Sequence, residues 1–226
     1  MPDEARQLPL DLGHRPGHSR DDLVVADENE AALRLIDAWP NWPAPVAVLT
    51  GPKGSGKTHL MEIFRDETGA QDAAGDFDAA LARAERGEPI TWDDADRAPI
   101  DQTALFHLIN AVRSGGATLL LTARQSPASW EITLPDLQSR LKAAAFVELA
   151  EPGDALLSAV VMKLFADRQV EIEPHVVQFI IRRMERSVGT AIEVVDRLDK
   201  AALERRRPIT RALAGEVLND VATPDG

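Results

Sequence analysis

The sequence predicts an α/β fold: a largely parallel sheet covered by helices on both faces, followed by a smaller all-helical region. Three observations predict it. Short aliphatic runs alternate with helix-period segments as far as Pro152, the pattern of parallel strands buried on both faces. The first run leads through a glycine-rich loop into a helix, as a phosphate-binding turn requires. Beyond Pro152 every segment carries apolar residues three or four apart and no strand pattern returns.

The elements follow in order. Residues Met1 to Asp22 show no sustained period and include "GHRPGHSRDD", which reads as a flexible linker. "ENEAALRLIDAW" places Ala31, Ala32, Leu35 and Ile36 on one helical face, and "PNWPAP" ends it. "PVAVLT" is the first strand and "KTHLMEIFRDE" the helix after the glycine loop. "DFDAALARAERG" is an alanine-rich helix, and "PITWDDAD" a strand whose end delivers adjacent carboxylates. "DQTALFHLINAVRSGG" is a capped helix closed by glycines, "ATLLLTA" a buried strand, "LPDLQSRLKAA" a short helix and "AFVELAEP" the last strand. Four helical segments follow, beginning "GDALLSAVVMKLFADR", with Pro174 and Pro208 marking starts or boundaries. The predicted division is a tail over 1–22, a base over 23–151 and a helical lid over 152–226.

At 226 residues and 44% apolar content the chain is long enough to bury a sizeable core. It has no cysteine, which excludes disulfides and thiolate metal sites, and no early apolar run of signal-peptide or membrane-span length. A cytoplasmic protein with no membrane association is the expectation. The net charge of −12 opposes strong direct DNA binding. Between Arg182 and Arg211, around "RRR", nine basic residues stand against five acidic ones. That run reads as a solvated helix face with a few nucleotide contacts, a local basic face being the alternative.

The stretch "GPKGSGKTHL" fits G-x-x-x-x-G-K-[ST] with Gly51, Gly54, Gly56, Lys57 and Thr58 in place. Gly51, Pro52, Lys53, Gly54, Ser55, Gly56 and His59 would shape a nest of inward-pointing backbone N–H groups beside a helix N-terminus, Pro52 itself having none. Polyphosphate is the natural occupant. Lys57 would reach the β- and γ-phosphates, and the Thr58 hydroxyl would join the shell of a Mg²⁺ ion. Asp93, at the end of "PITW", fits the second acidic position that holds Mg²⁺. Asp94 would orient or deprotonate an attacking water. Trp92 before them is expected to be core packing.

On these residues the sequence resembles the AAA+ ATPases, and within them the DnaA branch, from Leu23 to Asp220. "GPKGSGKTHL" looks like that branch's phosphate loop, Asp93 and Asp94 like its Walker B ending, and "LPDLQSRL" like the segment that puts an arginine finger at Arg140. The resemblance implies a five-stranded parallel sheet with a helical lid, ADP or ATP as ligand with Mg²⁺, and an adenine pocket lined by Leu23, Val24 and Asn29. Thr122 falls near the first-sensor position, and Arg124 stands where relatives often have Asp. Gly189 occupies the second-sensor position, where family members carry an arginine. Arg182, Arg183 and Arg186 are the candidates to replace it.

Two features are similar to the Hda family in particular. Only 35 positions separate Thr58 from Asp93, little room for the initiator's DNA-gripping helix, and no helix-turn-helix domain follows the lid. "QLPLDL" resembles the peptide by which such proteins bind the DNA polymerase III sliding clamp, with Gln7 bridging a pocket mouth and Leu8, Leu10 and Leu12 burying apolar surface. The resemblance implies a clamp-tethered regulator that promotes ATP hydrolysis by DnaA, with slow hydrolysis of its own and a possible homo-oligomer. Two rival readings are a self-contained ATPase such as a helicase loader, and a small-molecule kinase. Neither rival accounts for the tail.

Overall fold

The protein is described from a computed structural model covering residues 20–97 and 99–222. Five strands, β1 (Val46–Thr50), β2 (Gln71–Asp72), β3 (Ile90–Trp92), β4 (Leu119–Ala123) and β5 (Ala145–Glu148), form one parallel sheet in the order β2-β3-β4-β1-β5. The predicted α/β sheet is therefore present, with five strands. β2 has no counterpart in the sequence reading. Two residues, one exposed and one half-buried, carry no alternation to detect, and only pairing with β3 makes them a strand.

β1 is hydrogen-bonded to β4 on one side and β5 on the other, and all five of its residues are buried. The two-residue period of the strand divides them between two cores. Val46 and Val48 pack with α3 (Phe77–Glu85), α4 (Gln102–Gly115) and α5 (Pro135–Lys142). Ala47 and Leu49 pack with α1 (Glu30–Asp37) and α2 (Lys57–Thr68), where Trp42 stacks on Phe64 at 5.2 Å. Chain connections leave β1 and β4 in opposite directions along the sheet, so the crevice beyond their C-terminal ends is the topological switch point, where α/β sheets hold ligands.

Four helices follow: α6 (Asp154–Asp167), α7 (Pro174–Ile181), α8 (Val188–Arg205) and α9 (Arg211–Ala222). They enclose a core of their own, with Phe165, Val161, Ile180 and Leu198 at its centre. The segment read as linker through Asp22 differs from that expectation at its end. Arg20–Asp22 form a 3-10 turn, and Arg20 is paired with Asp37 of α1 at 2.5 Å and Glu67 of α2 at 3.2 Å. Paired charges on two helices hold a turn that composition alone could not reveal. Trp92 packs edge-on against Phe77 at 6.4 Å, in the core as expected.

The two glycines closing α4 have separate roles. Gly116 is the left-handed C-cap at φ 72°, whereas Gly115 lies where α4 crosses the end of α3. A Cβ on Gly115 would sit 2.0 Å from the Ala84 carbonyl oxygen. Gly115→Ala is expected to destabilise the fold by about 1–3 kcal/mol through overpacking against backbone. Gly189→Ala, whose nearest contact would be 3.5 Å from a hydroxyl, should cost far less. Urea titration of both variants checks the contrast.

Candidate functional site

The loop from Gly51 to Gly56 leaves the C-terminal end of β1 and wraps the start of α2. Lys57 is the first residue of α2 and only 7% exposed. Its ammonium donates to the carbonyl oxygens of Gly51 at 2.8 Å and Pro52 at 2.9 Å, leaving one of three protons for a further acceptor. Burial holds its pKa below the usual lysine range, and the nearby carboxylates of Asp94 and Asp93 oppose that shift. A negatively charged occupant would relieve the desolvation. The Ser55 hydroxyl is likewise buried and has no hydrogen-bond partner, a second polar group in the loop awaiting an acceptor or donor.

The opposite wall is built from the ends of β3 and β4. Thr122 Oγ1 donates to Asp93 Oδ1 and accepts the Asp94 N–H at 2.9 Å. The Ala95 N–H donates to the Thr122 carbonyl at 2.8 Å. Asp96 Oδ2 accepts the N–H groups of Arg124 at 2.8 Å and Gln125 at 3.0 Å. These bonds hold Asp94 in the left-handed region at φ 48°, a conformation unfavourable to most side chains though tolerated by Asp. Thr58 Oγ1 donates to Asp93 Oδ2 at 3.2 Å. One hydroxyl and one carboxylate facing each other fit the protein share of a Mg²⁺ shell, which takes its remaining oxygens from water and phosphate.

Beside the loop lies a small cavity of about 30 Å³, walled by Leu23, Val24, Asn29, Ser55 and His59 from the base. Asn29 is buried and shapes its own segment, accepting the Ala26 N–H at 2.9 Å and donating to the Val24 carbonyl at 2.8 Å. The far wall is Leu156, Val160 and Leu164 of α6 with Val188 and Ile192 of α8. At this volume only a water-sized occupant fits.

The lid touches the phosphate loop directly. The Val188 N–H, at the start of α8, donates to the Gly54 carbonyl at 3.2 Å, and Lys53 pairs with Glu185 at 3.6 Å. Gly54 has φ 81°, and a Cβ there would lie 2.5 Å from Ser187 Cβ, so only glycine permits this approach. Gly189 follows one residue later and brings no charge. Of the three arginines expected to replace it, Arg186 is bound to Asp154 at 2.6 Å, Arg183 lies over the Phe179 ring at 3.9 Å, and Arg182 is exposed.

The structure thus brings Gly51, Lys53, Gly54, Lys57, Thr58, Asp93, Asp94 and Thr122 around one crevice, with Pro52 and Gly56 in its loop. Arg140 does not join them. It lies on α5 with its guanidinium over Phe106 at 5.2 Å, and its Nε has no hydrogen-bond partner. Gln7, Leu8, Leu10 and Leu12 lie outside the described residues. Sequence reasoning missed Asp96, Ser187 and the α6 wall. The i, i+4, i+8 spacing of Leu156, Val160 and Leu164 marks an apolar stripe, but not which cavity it faces.

Comparison with known proteins places this geometry. A family profile described as "Hda, lid domain" matches residues 158–218. The chromosomal replication initiator DnaA of Cutibacterium acnes is 23% identical over 246 aligned positions, which cover 96% of this chain. The chain is thus similar to the Hda and DnaA-related AAA+ proteins, through the lid segment and through most of its length respectively. It spans about half of that initiator, 49% of its length. An uncharacterised protein of Haemophilus influenzae is 29% identical over 95% of this chain and 99% of its own length. Among solved structures, domain III of Thermotoga maritima DnaA superposes with a TM-score of 0.74 at 17% identity, covering 92% of this chain and 98% of that one. The T. maritima RuvB Holliday junction branch migration motor gives 0.68 at 21% identity, covering 89% and 71%. These likenesses establish the AAA+ fold.

Thr122→Val keeps the shape of this side chain and removes the hydroxyl between Asp93 and Asp94. It is expected to cost about 1–3 kcal/mol, because the Asp93 carboxylate loses a hydroxyl donor and the Asp94 N–H an acceptor, leaving only their bond to each other at 3.1 Å. Thr122→Ser should restore most of it, as urea denaturation of the two variants would show.

Proposed function

We propose that the chain is a nucleotide-binding regulator of replication initiation, which docks on the DNA polymerase III sliding clamp through Gln7 to Leu12 and promotes ATP hydrolysis by DnaA. One observation carries the reading. A phosphate loop with a buried lysine and an ordered Asp93–Thr122 pair is joined to an Hda-type lid that offers glycine at 189, while Arg140 stays apart from that site on α5. A solved DnaA is described as bound to AMPPCP and single-stranded DNA, which supports a nucleotide here.

In this reading the loop's N–H groups and the third Lys57 proton bind the polyphosphate of ADP or ATP, and Thr58 with Asp93 would hold Mg²⁺. The metal would neutralise phosphate charge when bound. Asp94 is placed to orient water, but the lid adds no charge on the terminal phosphate, so hydrolysis by the chain alone is slow. Arg140 would act in trans. A guanidinium supplied across an interface is worth about 10³ to 10⁵ in rate where such fingers operate. The regulator would act in the cytoplasm, and the division into tail, base and lid is part of the proposal.

Lys57→Met is expected to abolish stabilisation by ADP, while the parent gains about 2.7 kcal/mol at a ligand concentration near 100 Kd. Thermal melts with and without ADP check it. The pH dependence has a definite sign: phosphate favours the charged lysine, so ADP affinity should fall as pH rises through the depressed pKa of Lys57.

Arg140→Ala is expected to cut the stimulation of DnaA hydrolysis by at least about tenfold on the same scale, with clamp binding and the ADP-induced melting shift unchanged. Phosphate release from ATP-bound DnaA, measured with DNA-loaded clamp, is the readout. Full stimulation by the variant, or rapid turnover by the isolated chain, would favour the self-contained ATPase.

A further inference from the structure

The lid carries a second charged feature, away from the phosphate loop. Arg182 and Arg183 directly follow α7, Arg206 and Arg207 follow α8, and Arg211 opens α9. All five are exposed and none forms an ion pair among the described residues, in a chain with twelve more acidic than basic side chains. Two of them converge. The Arg183 guanidinium lies 3.9 Å from the centre of the Phe179 ring and that of Arg211 5.3 Å from the same centre. Gly215 of α9 backs the ring, where an added Cβ would come within 3.7 Å.

Helix dipoles account for part of this distribution. Cations after the C-terminal ends of α7 and α8 are favourable, but Arg211 sits at the N-terminal end of α9, where the dipole is positive and a cation is disfavoured. There it joins Arg183 around one ring, and neither forms an ion pair among the described residues. The ring attracts each guanidinium, but like charges repel, and an anion would remove that cost. Glu171 and Glu173 line a recess beside Arg211, with Glu173 against His175 at 3.0 Å, and Glu216 is bound to Arg205. Glu204 bounds the patch on the α8 side.

We propose that this α7–α9 face of the lid, centred on Arg183, Phe179 and Arg211, binds the phosphate backbone of duplex DNA without sequence preference. Arginines spread over three helix ends suit repeated phosphates better than a single anion. The ring at the centre is already covered by guanidinium groups, so a protein partner would meet charge in place of an apolar anchor. The acidic remainder of the chain repels DNA and keeps the affinity low, so the face works on DNA that is held nearby. The inference does not depend on nucleotide binding or on Arg140.

Fluorescence anisotropy of the full chain with a labelled duplex of about 20 base pairs tests it, at several salt concentrations. Binding in the range of about 10⁻⁴ to 10⁻⁶ M is expected, falling steeply with salt. R183A/R211A should weaken it and lower the log–log salt slope by about 2. R34A/R113A changes two exposed arginines elsewhere and alters net charge equally, so its binding should stay near the parent's. R182E/R207E, remote from the ring stacking, should weaken binding further, keeping the test valid if R183A/R211A fails to fold. No binding to the duplex, equal losses from the patch and control variants, or binding of poly-glutamate in preference to duplex would overturn the proposal. The last outcome would reassign the face to an acidic protein.

Discussion

Everything in the base depends on β1 being hydrogen-bonded on both edges and buried on both faces. A strand so enclosed has one conformation open to it, and its C-terminal end is therefore a fixed point. The phosphate loop starts there. Because β4 is its neighbour, Thr122 comes within hydrogen-bonding reach of Asp93 and Asp94 at the end of the next strand over. The register of three strands thus becomes the geometry of one site. Lys57 completes it, at the electrostatic cost of a buried ammonium held by two carbonyls.

The lid is coupled to this point by small contacts. Val188 donates a hydrogen bond to Gly54, and the glycine's missing Cβ lets Ser187 settle on the loop. At this contact the lid presents backbone and a hydroxyl. The apolar stripe of α6 closes the cavity beside the loop, so helices that make the lid core also form one wall of that cavity.

Charge is divided in the same economical way. The base is acidic near its site, where Asp93, Asp94 and Asp96 offset the buried lysine. Arg182, Arg183, Arg206, Arg207 and Arg211, without an ion pair among the described residues, lie at the ends of the lid helices. An overall charge of −12 conceals both arrangements.

The sequence by itself determined the α/β class, the order of nearly all elements, the phosphate loop with Lys57 and Thr58, and the carboxylates Asp93 and Asp94, because these rest on local periodicity and on spacing within one turn. It also marked Thr122 and Gly189 through resemblance. It did not reveal β2, which exists only by pairing, nor the Arg20 turn, which is held by charges on two helices. Asp96, the Ser187 contact with Gly54 and the α6 wall were equally hidden. Each depends on residues tens of positions apart meeting in space, and a stripe or a lone serine looks the same whatever it faces. The two glycines after Ser114 make the point most simply. The sequence marks a helix end at Gly115 and Gly116, but only the crossing of α3 and α4 decides that the first must lack a side chain.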